Sequence, residues 1–356
     1  MRLWLPLANI RSPALGWADR TGVVLAQLGG PDILDDVRPF LYNFFLDLIP
    51  DNLRAPRPLW KPMAWALSTW RAPRSKSLYA AIGGGSPLRA QTEAQADALC
   101  AELRRRARPL PVYVAMRNWH PDSRRALRAA QADGVERLIF LPLYPQYSFA
   151  TTRSSLNELR RVISLSAYRP AVNVIEEYCE QPRYIEALVE LIRRHLAAFK
   201  TDAAGIRLIF SAHGLPVKYV ARGDPYTEHV RRTMRATLAK LQHPGPTHLS
   251  FQSRLGPASW LQPATEALIA QLGHEGAKAV CVVPVAFVSE HVETLNEIDI
   301  QYAQVARDHG IAEFGRVCAV KCHPSFIACL ADLVEAAIDG DPLTVQAGAA
   351  ASGETS

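Results

Sequence analysis

The segment FSAHGLP, residues 210–216, combines an apolar run with a histidine, a glycine and a proline. It reads as a buried strand that ends at His213. A neutral imidazole at that point can accept a proton near physiological pH or bind a metal ion. A lone histidine is more often a structural residue, and its position at the end of a strand makes that preference smaller without reversing it. His213 is therefore a candidate for a base or a metal ligand.

Three glutamates follow another apolar run further along the chain. Glu290, Glu293 and Glu297 are spaced i, i+3 and i+7, so a helix with Ser289 as its N-cap would carry all three carboxylates on one face. A solvated helix face is the simplest interpretation of such a stripe. The alternative is that the carboxylates bind a divalent cation or relay protons. That alternative gains weight only if His213 lies opposite them.

The six cysteines do not resemble the disulfide framework of a small secreted protein, so we expect reduced thiols or ligands. Cys318, Cys322 and Cys329 fall within twelve residues, and Cys179 lies far upstream. Clustered thiolates can hold an iron–sulfur cluster or a zinc ion. The spacings match no strict zinc signature, and buried thiols without a ligand are an equal alternative.

Short apolar, β-branched runs that alternate with helical patterns must position these side chains. Runs at 22–25, 112–116 and 137–141 form one set, and runs at 172–175, 206–210, 248–251 and 279–283 form a second. This alternation predicts an α/β fold of two parallel sheets flanked by helices, in two similar halves that meet near residue 170. Ligands bind at the carboxyl ends of strands in such folds, so we expect the site to face a cleft.

Length and composition narrow the class of protein. A chain of 356 residues suits two domains, and 49% apolar with 21% charged residues is typical of a globular protein. The net charge of +6 favours an acidic partner, which could be nucleic acid, anionic lipid or a small carboxylate. No apolar stretch reaches the roughly 18 residues of a transmembrane helix, and the first residues lack a secretory signal. These features predict a cytoplasmic protein whose membrane contact, if any, is peripheral.

Two further segments depart from the α/β pattern. Residues 56–76 interleave large apolar side chains with cations, which suits either a lip at a membrane surface or a helix whose aromatic residues face the core. Amphipathicity alone does not separate these two interpretations. Residues 346–356 are rich in alanine, glycine and serine, which predicts a disordered tail.

Taken together, the motifs resemble those of the ferrochelatase family, enzymes that insert ferrous iron into a porphyrin. The resemblance runs from about residue 22 to residue 333 and keeps the family's order. The motifs are LGGPD (28–32), IGGGSPL (82–88), LPLYPQYS (141–148), FSAHGLP (210–216), GDPY (223–226), FQSRLGP (251–257) and FVSEHVETL (287–295).

The resemblance implies two Rossmann-like domains without a nucleotide, residues 20–170 and 171–310, with a porphyrin cleft between them. It also implies a C-terminal helical segment, residues 311–340, that returns to the first domain. His213 and Glu293 fall at the catalytic pair, in contact with the substrate iron, and Glu290 and Glu297 would form a relay. Residues 56–76 fall at the membrane-facing lip. The positions that resemble the porphyrin pocket are Leu28, Arg117, Tyr147, Trp260 and Phe287.

Metallation of a porphyrin removes two pyrrole protons and delivers a dehydrated ferrous ion, so it needs a base and a proton relay. We expect His213 to accept the protons while the cleft bends the macrocycle. The substrates would be ferrous iron and protoporphyrin or coproporphyrin, and the apolar lip favours protoporphyrin. The resemblance gives no reason to expect a nucleic-acid partner. Two alternatives stay open, namely a chelatase for another metal and a non-catalytic porphyrin or haem carrier.

The chain departs from the family pattern at two points. Gln301 stands where the family often continues the acidic stripe with a carboxylate, which weakens the case for a long relay. Some family members carry a two-iron two-sulfur cluster held by four cysteines. Cys179, Cys318, Cys322 and Cys329 could serve as its ligands here, although they match no family arrangement residue by residue.

Overall fold

Two four-stranded parallel sheets form the centre of the fold. The computed structural model describes residues 20–52, 56–253 and 258–339, and the predicted tail at 346–356 lies outside them. The first sheet has the order β2-β1-β3-β4 and the second the equivalent order β6-β5-β7-β8. The predicted α/β fold of two similar halves is confirmed. The strands are β1 (Thr21–Gln27), β2 (Val112–Met116), β3 (Arg137–Pro142), β4 (Ala171–Val174), β5 (Ile206–His213), β6 (Thr247–Gln252), β7 (Ala279–Pro284) and β8 (Glu313–Arg316).

Strand β4 belongs to the first sheet, where Val172 pairs with Leu138 and Val174 with Phe140. Its assignment to the second set of strands was wrong. A short apolar run indicates a strand but does not say which neighbour it pairs with, because the crossover connection decides that. The fourth strand of the second sheet, β8, was not predicted, since its sequence EFGR has no apolar run.

Helices cover both faces of the sheets, as buried parallel strands require. All seven residues of β1 and all six of β7 are buried. Two segments, Phe149–Arg153 and Glu293–Tyr302, have π-helical hydrogen bonding. The α-helices are α1 (Val37–Asn52), α2 (Arg57–Ala80), α3 (Leu88–Arg105), α4 (Ser123–Ala132), α5 (Ser154–Ser164), α6 (Pro182–Leu196), α7 (Val217–Ala221), α8 (Tyr226–Leu241), α9 (Thr265–His274), α10 (Ala303–Asp308) and α11 (Pro324–Asp339).

One hydrophobic core joins the two halves. It contains Leu25 of the first sheet, Phe210 and Val283 of the second, and Phe326 and Leu330 of α11, all fully buried. Burial of apolar surface on this scale is the main favourable contribution to folding. The core therefore holds the carboxyl ends of both sheets in a fixed relative position.

Helix α11 lies against α3 and β4 of the first half. Arg106, just after α3, donates hydrogen bonds to Asp332 at 2.7 Å, to Glu335 at 2.8 Å and to the carbonyl of Ala328 at 3.2 Å. Its side chain is 16% exposed, so solvent screens these charges only partly. This cation fixes the last described helix to the first domain.

The lip helix, defined here as α2, presents two kinds of aromatic residue. Trp60 and Met63 pack against the cluster that α1 forms with α2, whereas Trp65 and Trp70 are 57% and 77% exposed. Part of the helix therefore faces the core and part faces solvent, and the membrane-facing lip stays a prediction. Within the described residues, the helices are all too short or too polar to cross a bilayer.

Replacement of Arg106 tests how α11 is held. Arg106→Ala removes the hydrogen bonds to Ala328 and to Asp332 and leaves the partly buried Glu335 without its cation. We therefore expect it to lower the free energy of unfolding by about 2 kcal/mol in urea titrations. Arg105→Ala is the matched control, since Arg105 is 72% exposed and pairs with Glu102 alone; it should change stability by less than about 0.5 kcal/mol. Equal losses in the two variants would contradict the assigned role.

Candidate active site

His213 is the last residue of β5, at the carboxyl edge of the second sheet. The chain then passes so close to β6 that a side chain at Gly214 would place its Cβ 2.6 Å from the carbonyl oxygen of Gln252. Only glycine fits this approach. The hydroxyl of Tyr226 donates to the carbonyl of His213 at 3.1 Å and fixes the backbone from the other side.

The imidazole of His213 meets the carboxylate of Glu293. Nδ1 of the histidine lies 2.7 Å from Oε2 of the glutamate. Glu293 opens the π-helical segment that follows β7, the strand paired with β5. The two side chains keep 37% and 27% of their surface exposed, so a ligand can reach them. The expectation that these two residues converge agrees with this geometry.

Each member of the pair shifts the pKa of the other. Burial lowers the pKa of His213, but the charge and hydrogen bond of Glu293 outweigh it and raise that pKa. Burial raises the pKa of Glu293, but the charge and hydrogen bond of His213 outweigh it and lower that pKa to about 2. Glu293 is therefore ionised at neutral pH and stabilises a protonated imidazole beside it.

Ser253 connects Glu293 to the second glutamate, Glu297. Its hydroxyl contacts Oε2 of Glu293 at 3.0 Å and also touches Glu297, and its backbone N–H donates to Glu297 at 2.9 Å. Burial and the charge of Glu293 raise the pKa of Glu297. The single hydroxyl proton of Ser253 can be donated to either carboxylate, but to only one of them at a time. The result is a hydrogen-bonded chain from Glu297 to His213.

Glu290 does not join this chain. The helical segment begins at Glu293, so the predicted single face of three carboxylates is wrong. Glu290 instead forms an ion pair with Arg316 at 2.8 Å, with the two side chains 7% and 8% exposed, and accepts the backbone N–H of Ala319. Burial raises its pKa, but Arg316 outweighs burial and lowers it. Glu290 therefore anchors the loop before the site through Arg316 and Ala319, and its part in a relay stays a prediction.

Helix α3 of the first half holds the same loop. The amide of Gln95 donates to the carbonyl of Val288 at 3.1 Å and accepts the hydroxyl of Ser289, which is thus not a helix N-cap. Gln91 accepts the backbone N–H of Glu290 at 2.8 Å. Sequence reasoning missed these glutamines because an isolated glutamine in a helix carries no signal. It also missed Ser253, although that residue lies in the quoted motif at 251–257.

Two of the predicted pocket residues lie beside His213. The ring of Phe287 stands 6.3 Å from the imidazole, edge to face. Trp260 lies so close to Gly214 that a Cβ on that glycine would be 3.4 Å from its ring, and its indole N–H has no hydrogen-bond partner within the described part of the chain. Phe287 therefore lies beside the imidazole of His213, and Trp260 lies beside the glycine that follows it.

The other three predicted pocket residues follow strands of the first sheet. Leu28 comes directly after β1, Arg117 after β2, and Tyr147 lies in the loop after β3. The guanidinium of Arg117 is already engaged by Asp47 and by the hydroxyl of Ser154. It is thus an anchor between α1 and α5 as well as a residue at the edge of the sheet.

The four cysteines proposed as cluster ligands differ in exposure. Cys318 and Cys322 are exposed, whereas Cys179 and Cys329 are buried. In the described ranges, no three of these sulfur atoms lie within 4.8 Å of one another. A two-iron two-sulfur cluster holds its thiolates as two pairs on separate irons, so this spacing does not test it and the cluster stays a prediction.

Comparison with known proteins indicates one family. The sequence profile described as Ferrochelatase matches residues 20–338. The chain is 48% identical to a ferrochelatase of Synechococcus sp. (strain JA-3-3Ab) over 88% of its own length and 93% of that protein. It is 44% identical to the chloroplastic ferrochelatase-2 of Cucumis sativus, over 89% of its own length and 63% of that protein.

A structure of SirB from Bacillus subtilis with Fe3+ is 17% identical, with a TM-score of 0.48 over 70% of this chain and 90% of that one. The extent of the profile and the level of identity to the relatives show that the chain belongs to the ferrochelatase family.

Proposed function

We propose that this chain is a metal chelatase that inserts ferrous iron into protoporphyrin IX or coproporphyrin to form haem, with His213 and Glu293 as its catalytic residues. The observation that carries the proposal is the 2.7 Å contact between Nδ1 of His213 and Oε2 of Glu293 at the carboxyl edge of the second sheet. Membership of the ferrochelatase family supports the choice of substrates.

The contact with Glu293 sets the direction of proton transfer. The Nδ1–H group of a neutral His213 donates a hydrogen bond to the ionised carboxylate, which leaves the lone pair of Nε2 as the acceptor for a pyrrole proton. The imidazolium that forms is stabilised by the ionised Glu293. The proton then leaves through Ser253 and Glu297, which are hydrogen-bonded to Glu293 in series. The same pair of side chains would contact the ferrous ion as it meets the ring nitrogens.

The substrate occupies the space at the carboxyl edges of the two sheets. Phe287, beside His213, and Trp260, beside Gly214, would press on one region of the ring. A flat macrocycle bends when side chains press on one part of it and other side chains hold its rim. The lone pairs of its nitrogen atoms then point out of the plane of the ring. Leu28, Arg117 and Tyr147, which follow the strands of the first sheet, would supply the opposing contacts.

The lip helix supports a peripheral contact with the cytoplasmic face of a membrane. Trp65 and Trp70 project more than half of their surface into solvent, and the helix also carries Lys61, Arg71, Arg74 and Lys76. Exposed tryptophans beside cations are typical of helices that lie at an anionic lipid surface. An apolar entrance of this kind favours protoporphyrin over the more polar coproporphyrin.

Removal of the imidazole tests the base directly. His213→Ala should reduce anaerobic iron insertion by at least about 100-fold, because the base paired with Glu293 is lost, while porphyrin binding measured by fluorescence stays largely intact. His274→Ala, at the end of α9 and remote from the site, is the control and should keep full activity. Turnover retained by the His213 variant would refute its role and favour a carrier. Cobalt or nickel inserted in preference to iron would favour a different chelatase.

The dependence of the rate on pH tests the coupling of the pair. The base is active when neutral, so the rate falls as the pH drops through its raised pKa. Glu293→Gln removes the charge that raises this pKa, so the acidic limb of the pH–rate profile should move to lower pH while the maximum rate falls. Glu266→Gln, on the surface of α9, should leave the limb in place. An unchanged limb in the Glu293 variant would count against the coupling.

Vesicle binding tests the lip. We expect the double change of Trp65 and Trp70 to Ser to weaken sedimentation with vesicles that contain anionic lipid by at least about tenfold, because each buried aromatic side chain contributes more than about 1 kcal/mol. Leu165→Ser removes an equally exposed apolar residue from the end of α5, outside the lip, and serves as the control. The membrane contact would be disproved if the double variant and the Leu165 variant sedimented with the vesicles to the same extent.

A further inference from the structure

A second group of ligand-type side chains lies away from the catalytic pair. Glu177 and Cys179 belong to the segment between β4 and α6, and His229 lies in the first turn of α8. One potential ligand atom from each residue lies within 4.8 Å of the others. It is the one group of three such residues found in the described part of the chain. A single metal ion can bridge atoms at this separation.

The three donor types select the class of ion. A thiolate, an imidazole and a carboxylate together suit zinc and its neighbours in the first transition series, with water as a fourth ligand. The thiol of Cys179 is buried, and its hydrogen bond with Glu177 places a proton between sulfur and carboxylate. A metal ion that binds both groups displaces that proton, as thiolate ligation requires.

The backbone around the group is held in place without a metal. Thr233, one turn after His229 on α8, donates its hydroxyl to the carbonyl of Cys179 at 2.8 Å. The backbone N–H of Cys179 donates to Oε2 of Glu177 at 2.9 Å. The side-chain amide of Gln146 in turn donates to the hydroxyl of Thr233 at 3.0 Å. The donors are therefore preorganised, which lowers the entropic cost of binding.

One nearby cation opposes a metal ion. The guanidinium of Arg232 lies 3.3 Å from Oε1 of Glu177 and 2.6 Å from Oε2 of Glu180. Its stronger contact is with Glu180, so it can stay bound there while Glu177 turns to a metal. The positive charge still weakens binding, and its removal should strengthen it.

His229 also links this group to Tyr147, one of the residues proposed to contact the porphyrin. Its Nδ1 accepts the backbone N–H of Tyr147 at 3.2 Å. A neutral imidazole has one nitrogen lone pair available, because the other nitrogen carries the proton. His229 can use that pair for Tyr147 or for a metal ion, but not for both. If Nδ1 binds the metal, its lone pair is used. If Nε2 binds the metal, Nδ1 carries the proton and can no longer accept a hydrogen bond.

We propose that Glu177, Cys179 and His229 bind one divalent transition-metal ion of the zinc class, and that its binding releases the backbone of Tyr147. The ion is a regulatory ligand and is distinct from the iron that is inserted. Metal binding and porphyrin binding then oppose each other. This second part rests on the proposed function, in which Tyr147 contacts the porphyrin, whereas the metal site itself does not.

Cobalt(II) tests the site without any catalysis. Titration of the anaerobic, metal-free protein should give one equivalent of bound cobalt with thiolate-to-cobalt charge-transfer absorption in the near ultraviolet. Cys179→Ser should abolish that absorption, and Cys318→Ser, which alters an exposed cysteine elsewhere, should preserve it. Arg232→Gln should tighten cobalt binding. Absorption that survives in the Cys179 variant, or that is absent from the parent protein, would overturn the site.

Haem binding tests the link to Tyr147, since haem cannot take up a further metal ion. Saturating zinc should weaken haem affinity by about fivefold, the equivalent of one hydrogen bond, and haem should weaken zinc binding by the same factor. The effect should vanish in Cys179→Ser. Equal haem affinity with and without zinc would overturn the coupling. A parent protein that binds no haem at all would instead refute the proposed function.

Discussion

The hydrogen bond between His213 and Glu293 is the interaction on which the rest of the site depends. An ionised carboxylate in a partly buried position is costly unless a cation or donor faces it. Here the imidazole supplies both, and in return it becomes a stronger base than an isolated histidine. The arrangement requires β5 and β7 to be neighbours, because each residue follows or ends one of these strands. Parallel pairing of the two strands is thus a condition for the chemistry.

Buried polar groups beneath the pair keep it in one geometry. Ser211 donates to the side-chain carbonyl of Gln252 at 2.7 Å and lies 2.9 Å from the hydroxyl of Thr265. The amide of Gln252 then donates to the carbonyl of Glu293 at 3.2 Å. These groups are almost fully buried and would destabilise the strands if they were unpaired. Because each has a partner, the network restricts the position of Glu293 instead.

The sequence predicted where the strands lie better than it predicted which strands and side chains they contact. Apolar, β-branched runs located the strands of both sheets apart from β8, because a strand that is buried on both faces consists mostly of apolar residues. The same runs could not place β4, whose pairing depends on a crossover. His213 and Glu293 were found through motifs, yet Glu290 was wrongly placed on the helix because a carboxylate spacing does not say where a helix begins. Its ion pair with Arg316 forms only when the chain has folded.

The group of Glu177, Cys179 and His229 could not be found from sequence, since His229 lies far along the chain from the other two residues and no spacing rule joins them. The same holds for Gln91 and Gln95, which reach the site from the other half of the chain. Contacts of this kind depend on how the two sheets pack on their shared core. Local sequence patterns do not depend on that packing. They can therefore indicate what a single residue could do chemically, but they cannot identify its neighbours in the folded protein.

The most direct measurement is an NMR titration of the His213 ring in the parent protein and in Glu293→Gln. In the parent protein the imidazole should titrate above the ordinary pKa of a histidine, and loss of the carboxylate charge should bring that pKa down. An identical, unshifted titration in both proteins would contradict the pairing of the two side chains.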